Sequence, residues 1–183
     1  MHKTKAYQLN LMAKNNIRIP KTLITNDVEA MREFYEQNNK NIIYKPVSGG
    51  AFTKKMIEED FSESKVKHLK YSPIQLQEYV DGVDVRVYAF KNDIFAAEIQ
   101  SSAIDFREDK NVQITPIELP QNIIDNCKTI LETMHLNYSG IDIKRKENGE
   151  FVFIEANPAP MFTYFEKMTK YPILDTLIKE LLK

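Results

Sequence analysis

The chain has 183 residues, 43% hydrophobic and 28% charged, which suffices for one ordinary domain or two small lobes sharing a core. Its 25 basic and 26 acidic residues leave a net charge of −1, so no global field recommends nucleic acid or an anionic membrane as a partner. No apolar run is long enough to span a membrane and the N-terminus MHKTKAYQLN carries no signal-peptide pattern, so a cytoplasmic protein is expected. The single cysteine, Cys127, cannot form an internal disulfide, and His2, His68 and His135 share no ligand spacing, which argues against zinc.

In chain order, residues 4–16 are expected to form a helix with Leu9, Met12 and Ala13 on one side, followed by the extended segment IRIPKTLIT. NDVEAMREFYEQN opens with Asn26 three residues before Glu29, a capping-box pattern, and carries Val28, Met31, Phe34 and Tyr35 at helical spacing. The strand NIIYKPV leads into SGGAFTKKM. PIQLQEYV passes through Asp81 and Gly82 into the strand VDVRVYAF, and a KND turn leads to IFAAEIQS. Pro120 suits the first turn of a helix whose stripe is Ile123, Ile124, Cys127, Ile130, Leu131 and Met134, where Cys127 reads as a buried structural thiol. The hairpin sequence GIDIKRKENGEFVFIEANPAP follows, and a helix near Pro172 closes the chain. Antiparallel hairpins mixed with helices indicate an α+β fold.

In the hairpin, Asn148-Gly149 predicts a two-residue type I′ turn in which Glu147 faces Glu150. Asp142 then faces Glu155, Asn157 shares their face, and Ile141, Ile143, Val152 and Ile154 turn toward a core. Two opposed carboxylates repel unless a cation lies between them. An Asp, a Glu and an amide oxygen are hard ligands suited to Mg²⁺, which completes its shell with water and phosphate oxygens. The alternative is a solvated face on which Lys144 neutralises the acids.

Other clusters point the same way. Lys45 lies in a strand just ahead of Gly49 and Gly50, a fixed cation before a loop whose amides could cover phosphates, although no Walker pattern is present. Asp84 and Arg86 share a strand face and suit ribose hydroxyls and a phosphate, or a plain ion pair. Gln77, Glu78, Tyr79 and Val80 could present backbone groups to an adenine edge. Arg107 lies beside Asp105 and Phe106 in a polar segment. Met161, Phe162, Phe165 and Met168 stand at helical spacing and read as core packing, with a peptide or partner surface as the other reading. All five glycines fall at junctions beside polar clusters.

The order KP-strand, Gly loop, QEYVDGVDVR, DFR, GIDI, hairpin and FIEANP resembles the ATP-grasp superfamily, and within it the RimK-like and graspetide (microviridin-type) peptide ligases. The resemblance runs from about residue 5 to residue 172. It implies one ATP-grasp unit over residues 1–183, two small α+β lobes whose antiparallel sheets clasp a nucleotide. The smaller lobe would cover about residues 20–80, and the larger metal-binding lobe about 81–183 with the N-terminal helix.

By position, the resemblance makes Lys45 the lysine on the ATP phosphates, beside the loop of Gly49 and Gly50, and Arg107 the arginine near the reacting phosphate. Gln77 to Val80 would form the adenine linker, Asp84 would take the ribose position with Arg86 after it, and Asp142, Glu155 and Asn157 would hold Mg²⁺ or Mn²⁺. The implied activity is ligation of a carboxylate to an amine or hydroxyl through an acylphosphate, on a peptide or amino-acid-like substrate. A catalytically silent ATP-binding module and a small-molecule kinase are the alternatives. Family members usually carry a further N-terminal domain of about 100 residues. This chain begins close to the element before the grasp, so the expectation is a fragment, a minimal ligase, or a protein that uses a partner protein for that domain.

Overall fold

The computed structural model describes residues 5–47, 53–101 and 111–182. The chain divides into two compact units. The smaller runs over Pro20–Val80, and the larger joins the segment up to Ile19 to the segment from Asp81 onwards. Among the described residues no helix is long and apolar enough to cross a membrane.

The first helix, α1 (Lys5–Lys14), belongs to the larger unit. The smaller unit contains β1 (Thr22–Thr25), α2 (Val28–Gln37), β2 (Ile42–Pro46), β3 (Lys54–Lys55), the short α3 (Glu63–Val66) and β4 (Ile74–Glu78). Its sheet has the order β1-β4-β2-β3, and every pairing is antiparallel. The cap of α2 is Asp27, whose side chain accepts from the Glu29 N–H at 2.9 Å, one residue later than the expected Asn26. The reason is local: the Asp27 N–H donates to Thr25 Oγ1, which closes the preceding turn and leaves Asp27 extended. Met31 and Tyr35 of α2 pack with Ile42, Met56, Phe61, Leu69 and Leu76 to form this unit's core. Strand alternation puts Leu76 on the helix side and Gln75 and Gln77 on the other face, where Lys45 is the direct partner of Gln75.

The larger unit adds β5 (Val83–Phe90), β6 (Ile94–Gln100), β7 (Gln113–Ile117), α4 (Gln121–Thr133), β8 (Tyr138–Arg145), β9 (Phe151–Asn157), α5 (Thr163–Thr169) and α6 (Ile173–Leu181). Its antiparallel sheet has the order β7-β6-β5-β8-β9. On one face Val85, Val87, Ala89, Ile141, Ile143, Phe153 and Ala156 pack against Met12 of α1 and Ile123, Cys127, Ile130 and Leu131 of α4. Cys127 is fully buried there, and burial pushes its thiol up to about 12, as suits a structural group rather than a nucleophile. On the opposite face, one end of the sheet packs Tyr88, Phe90 and Tyr138 against Phe165 and Ile173 of the last two helices. The stretch read as core from its spacing therefore splits. Phe162 and Phe165 pack inward, while Met161 and Met168 are exposed, because α5 starts only at Thr163 and leaves Met161 in the loop before it.

The edge of β9 is covered in a specific way. Buried Gln8 on α1 donates to the Ala156 carbonyl at 2.7 Å and accepts from the Ala156 N–H at 3.2 Å, so one amide side chain takes the place of a neighbouring strand. The Phe153 N–H donates to the Arg18 carbonyl at 2.8 Å.

The hairpin between β8 and β9 departs from the expected turn. Lys146 N–H donates to the Glu150 carbonyl at 2.9 Å, so the loop has three residues, Glu147, Asn148 and Gly149. Of these only Gly149 has positive φ, at 84°, which is the geometry of a type I turn with a glycine bulge. Asn148 instead uses Oδ1 to accept from the Glu150 N–H, and the Lys146 ammonium sits 2.6 Å from Glu150 Oε2. Near the turn the pairs slip by one residue, Ile143 facing Phe153 and Lys144 facing Val152. An irregularity at Ile154 absorbs the slip and restores Asp142 opposite Glu155 and Gly140 opposite Asn157. Without that extra residue, period-two alternation would send Glu155 into the core. The slip moves one core contact: Phe153 enters the core cluster and Ile154 is only half-buried, while Val152, opposite Lys144, is buried as expected but on the other face.

Phe153→Ala is therefore expected to cost about 3–5 kcal/mol, and Ile154→Ala no more than about 1 kcal/mol. Urea unfolding of the two variants beside wild type measures this difference.

Candidate functional site

The larger unit's sheet carries a charged patch on the face opposite the α1 and α4 core. Antiparallel pairing sets Asp84 against Lys144 and Arg86 against Asp142 across β5 and β8, and Asp142 against Glu155 across β8 and β9. The ion pairs follow that register. Arg86 Nε lies 2.7 Å from Asp142 Oδ1, and Lys144 Nζ lies 2.9 Å from Asp84 Oδ2. Glu155 Oε2 is met at 3.2 Å by Lys5 from the start of α1. The ion pairs of Asp84 and Arg86 run across the strands, each to the residue opposite. Lys144 neutralises Asp84 and leaves Asp142 to Arg86.

The side chains of Asp142 and Glu155 are 33% and 31% exposed, so solvent and ligand can reach both. Asn157 Oδ1 accepts from the Ala159 N–H at 3.0 Å, while its carbonyl accepts from Ser139 Oγ at 3.0 Å. That amide oxygen keeps a second lone pair. These donors fit a hard divalent cation. Among the described residues no group of three or more His, Cys, Asp or Glu side chains forms a metal cage. Two carboxylates and an amide are a partial shell, which suits Mg²⁺ completed by water and phosphate oxygens.

Gly140 holds the patch together. It faces Tyr88 on one side and Asn157 on the other, and a Cβ there would meet Pro160 Cβ at 2.6 Å and Arg86 Nη1 at 3.2 Å. The chain after Asn157 therefore rests directly on the sheet, and Tyr88 secures it by donating its hydroxyl to the Met161 carbonyl at 2.6 Å. Burial raises the Tyr88 phenol above its ordinary range, which keeps that hydroxyl a donor.

The smaller unit holds a second polar cluster. Lys45 is 8% exposed and faces Gln75, which is 1% exposed. Gln77, also buried, faces Ile43 and Thr22. At the strand's end the Glu78 N–H donates to the Lys21 carbonyl, and just beyond it the Tyr79 N–H donates to the Asn41 carbonyl, both within 3.0 Å, while the Lys55 ammonium lies 5.0 Å from the Tyr79 ring centre. These bonds hold the segment ending at Val80.

Gly49, Gly50 and Arg107 lie outside the described residues. Asp142, Glu155 and Asn157 come together on one face with Asp84 and Arg86, and Lys45 and Gln77 share a buried face of the other sheet. Sequence reasoning missed Lys5, Gln8 and Thr22, whose partners are remote along the chain and leave no local signal. Gly140, expected at a junction, lies inside β8, where a residue without a Cβ leaves room for Pro160.

Two α+β units built on antiparallel sheets define the ATP-grasp fold, as the sequence led one to expect. The RimK-like ATP-grasp domain matches residues 2–181, and the chain belongs to that family. The alpha-aminoadipate–LysW ligase LysX of Sulfurisphaera tokodaii is 20% identical over 189 residues, covering 97% of this chain and 66% of that protein. The structure of the ATP-grasp ligase PsnB complexed with a minimal precursor is similar at a TM-score of 0.86 and 34% identity, over 98% of this chain and 62% of that one. Macrocyclase MdnC bound with precursor peptide MdnA, from Microcystis aeruginosa MRC, gives a TM-score of 0.88 at 26% identity, over 99% of this chain and 61% of that one. The chain thus spans 66% of the length of that curated relative and somewhat less of the two structures.

Gly140→Ala is expected to lower stability by about 1–3 kcal/mol, the usual cost of overpacking, since both Pro160 and Arg86 must give way. Urea denaturation checks it, and an unchanged midpoint would show that the Pro160 segment yields freely.

Proposed function

We propose that the chain is the nucleotide-binding and catalytic part of an ATP- and Mg²⁺-dependent ligase that joins a carboxylate to an amine, or to a hydroxyl, on a peptide or amino-acid-like substrate. The observation that carries this reading is the direct opposition of Asp142 and Glu155, each also matched to a base and each about one-third exposed. Family membership and the peptide precursors bound to PsnB and MdnC support the reaction class and the substrate class.

In this reading the smaller unit is the nucleotide-clasping lobe and the larger unit the metal-binding lobe. Asp142, Glu155 and Asn157 hold the cation, which supplies charge neutralisation at the phosphates. Lys45 adds a fixed positive charge there, with Gly49 and Gly50 lending backbone amides and Arg107 acting at the reacting phosphate. Gln77, Glu78, Tyr79 and Val80 meet the adenine, Asp84 takes the ribose hydroxyls, and Arg86 orients Asp142 from 2.7 Å. The substrate carboxylate attacks the γ-phosphorus and ADP leaves, giving an acylphosphate. An amine or hydroxyl then attacks the acyl carbon, phosphate leaves, and the nucleophile gives up its proton. A partner protein that completes the substrate site belongs to the same proposal.

The test is to supply Mg²⁺, ATP and short peptides rich in Asp and Glu, with hydroxylamine to trap the acylphosphate. The expected products are ADP, phosphate and a peptide hydroxamate, with the rate reduced at least about a hundredfold in Glu155→Ala. A stable phosphorylated product without hydroxamate would make the protein a kinase instead.

A further inference from the structure

The polar face of the smaller unit's sheet contains two buried carbonyl oxygens that no described residue meets with a hydrogen bond. Gln75 and Gln77 are each 1% exposed, and among the described residues their Oε1 atoms accept no hydrogen bond. A buried amide oxygen left without a donor is costly and rare, and here two stand on one strand face beside buried Lys45.

The direction of the Gln77 amide follows from its neighbours. Thr22 Oγ1 donates its one hydrogen to the Pro20 carbonyl at 2.9 Å. The same oxygen lies 3.0 Å from Gln77 Nε2, and with its hydrogen already used it can only accept. Gln77 therefore has to turn its NH₂ toward Thr22 and its carbonyl oxygen the other way. The relay from Pro20 through Thr22 makes the unpartnered end of Gln77 an acceptor and prevents the amide from flipping.

An acceptor repels phosphate oxygens, so the part of a nucleotide it suits is a donor. Gln77 directly precedes the Glu78 to Val80 segment assigned to the base, so the donor it suits is one on the base. We infer that Thr22 is a positioning residue for base choice: by locking the Gln77 carbonyl away from itself, it favours a purine carrying a 6-amino group and opposes one carrying a 6-oxo group. This inference rests on the nucleotide reading proposed above and goes on to specify how the base is selected.

The experiment is calorimetric binding of ATP and of inosine triphosphate, each with Mg²⁺, to wild type, Thr22→Val, Thr22→Ser and Gln77→Met, with thermal melts confirming folding. Wild type is expected to prefer ATP. Thr22→Val keeps the branched shape without the hydroxyl, and the ATP preference should fall about tenfold, the scale of one hydrogen bond to a buried partner. Thr22→Ser should retain the preference, and Gln77→Met should lose it even if Thr22→Val proves unstable. An ATP preference unchanged in Thr22→Val or in Gln77→Met overturns the lock. Equal wild-type affinity for the two nucleotides overturns the lock and leaves the ATP site standing, whereas no binding of either overturns both.

Discussion

Two carboxylates facing each other across a pair of strands oppose the strand pairing that brings them together. In this protein that opposition, Asp142 against Glu155, is imposed by the backbone and offset by its surroundings. The extra residue at Ile154 keeps Glu155 off the core face, and the Gln8 amide fixes the very next residue, Ala156, through both of its backbone groups. Arg86 and Lys5 then approach the acids from opposite sides, one from the neighbouring strand and one from α1. Partly exposed ion pairs of this kind contribute little stability, about 0–1 kcal/mol each. Their use is to make the acid pair tolerable in a hairpin whose other face is core.

The same division of labour recurs in the smaller unit. Leu76 and Ile42 serve the core while Gln75, Gln77 and Lys45 on the other face are buried and polar. An unfilled amide oxygen at such a site costs stability in the free protein, and the cost is recovered when a donor arrives.

Much of this was legible in the sequence because strand periodicity is simple. Alternation placed Asp84 with Arg86 and Asp142 with Glu155, and the stripe in the helix after Pro120 located Cys127 in a core. The turn was less legible. Asn148-Gly149 suits a two-residue loop, yet the bonds between Lys146 and Glu150 select three residues, and a second irregularity at Ile154 cancels the resulting slip. The expected acid pair survived, as did the burial of Ile141, Ile143 and Val152, while Ile154 is only half-buried and Phe153 takes a core place instead. The α2 cap moved from Asn26 to Asp27 because a Thr25 hydroxyl competes for the local backbone, and the strand Gln113–Ile117 escaped notice because its charged and proline-containing surroundings hide its alternation. Lys5, Gln8 and Thr22 act across long separations in sequence, where no local pattern could announce them.

The measurement that bears most directly on the acid pair is a calorimetric titration of ATP into wild type and Glu155→Ala, each with and without Mg²⁺. Wild type should bind ATP in a Mg²⁺-dependent manner, and the variant should lose that dependence together with at least about tenfold in affinity. Equal affinity in the two proteins, or binding indifferent to Mg²⁺, would contradict the assignment of Asp142 and Glu155 to the cation.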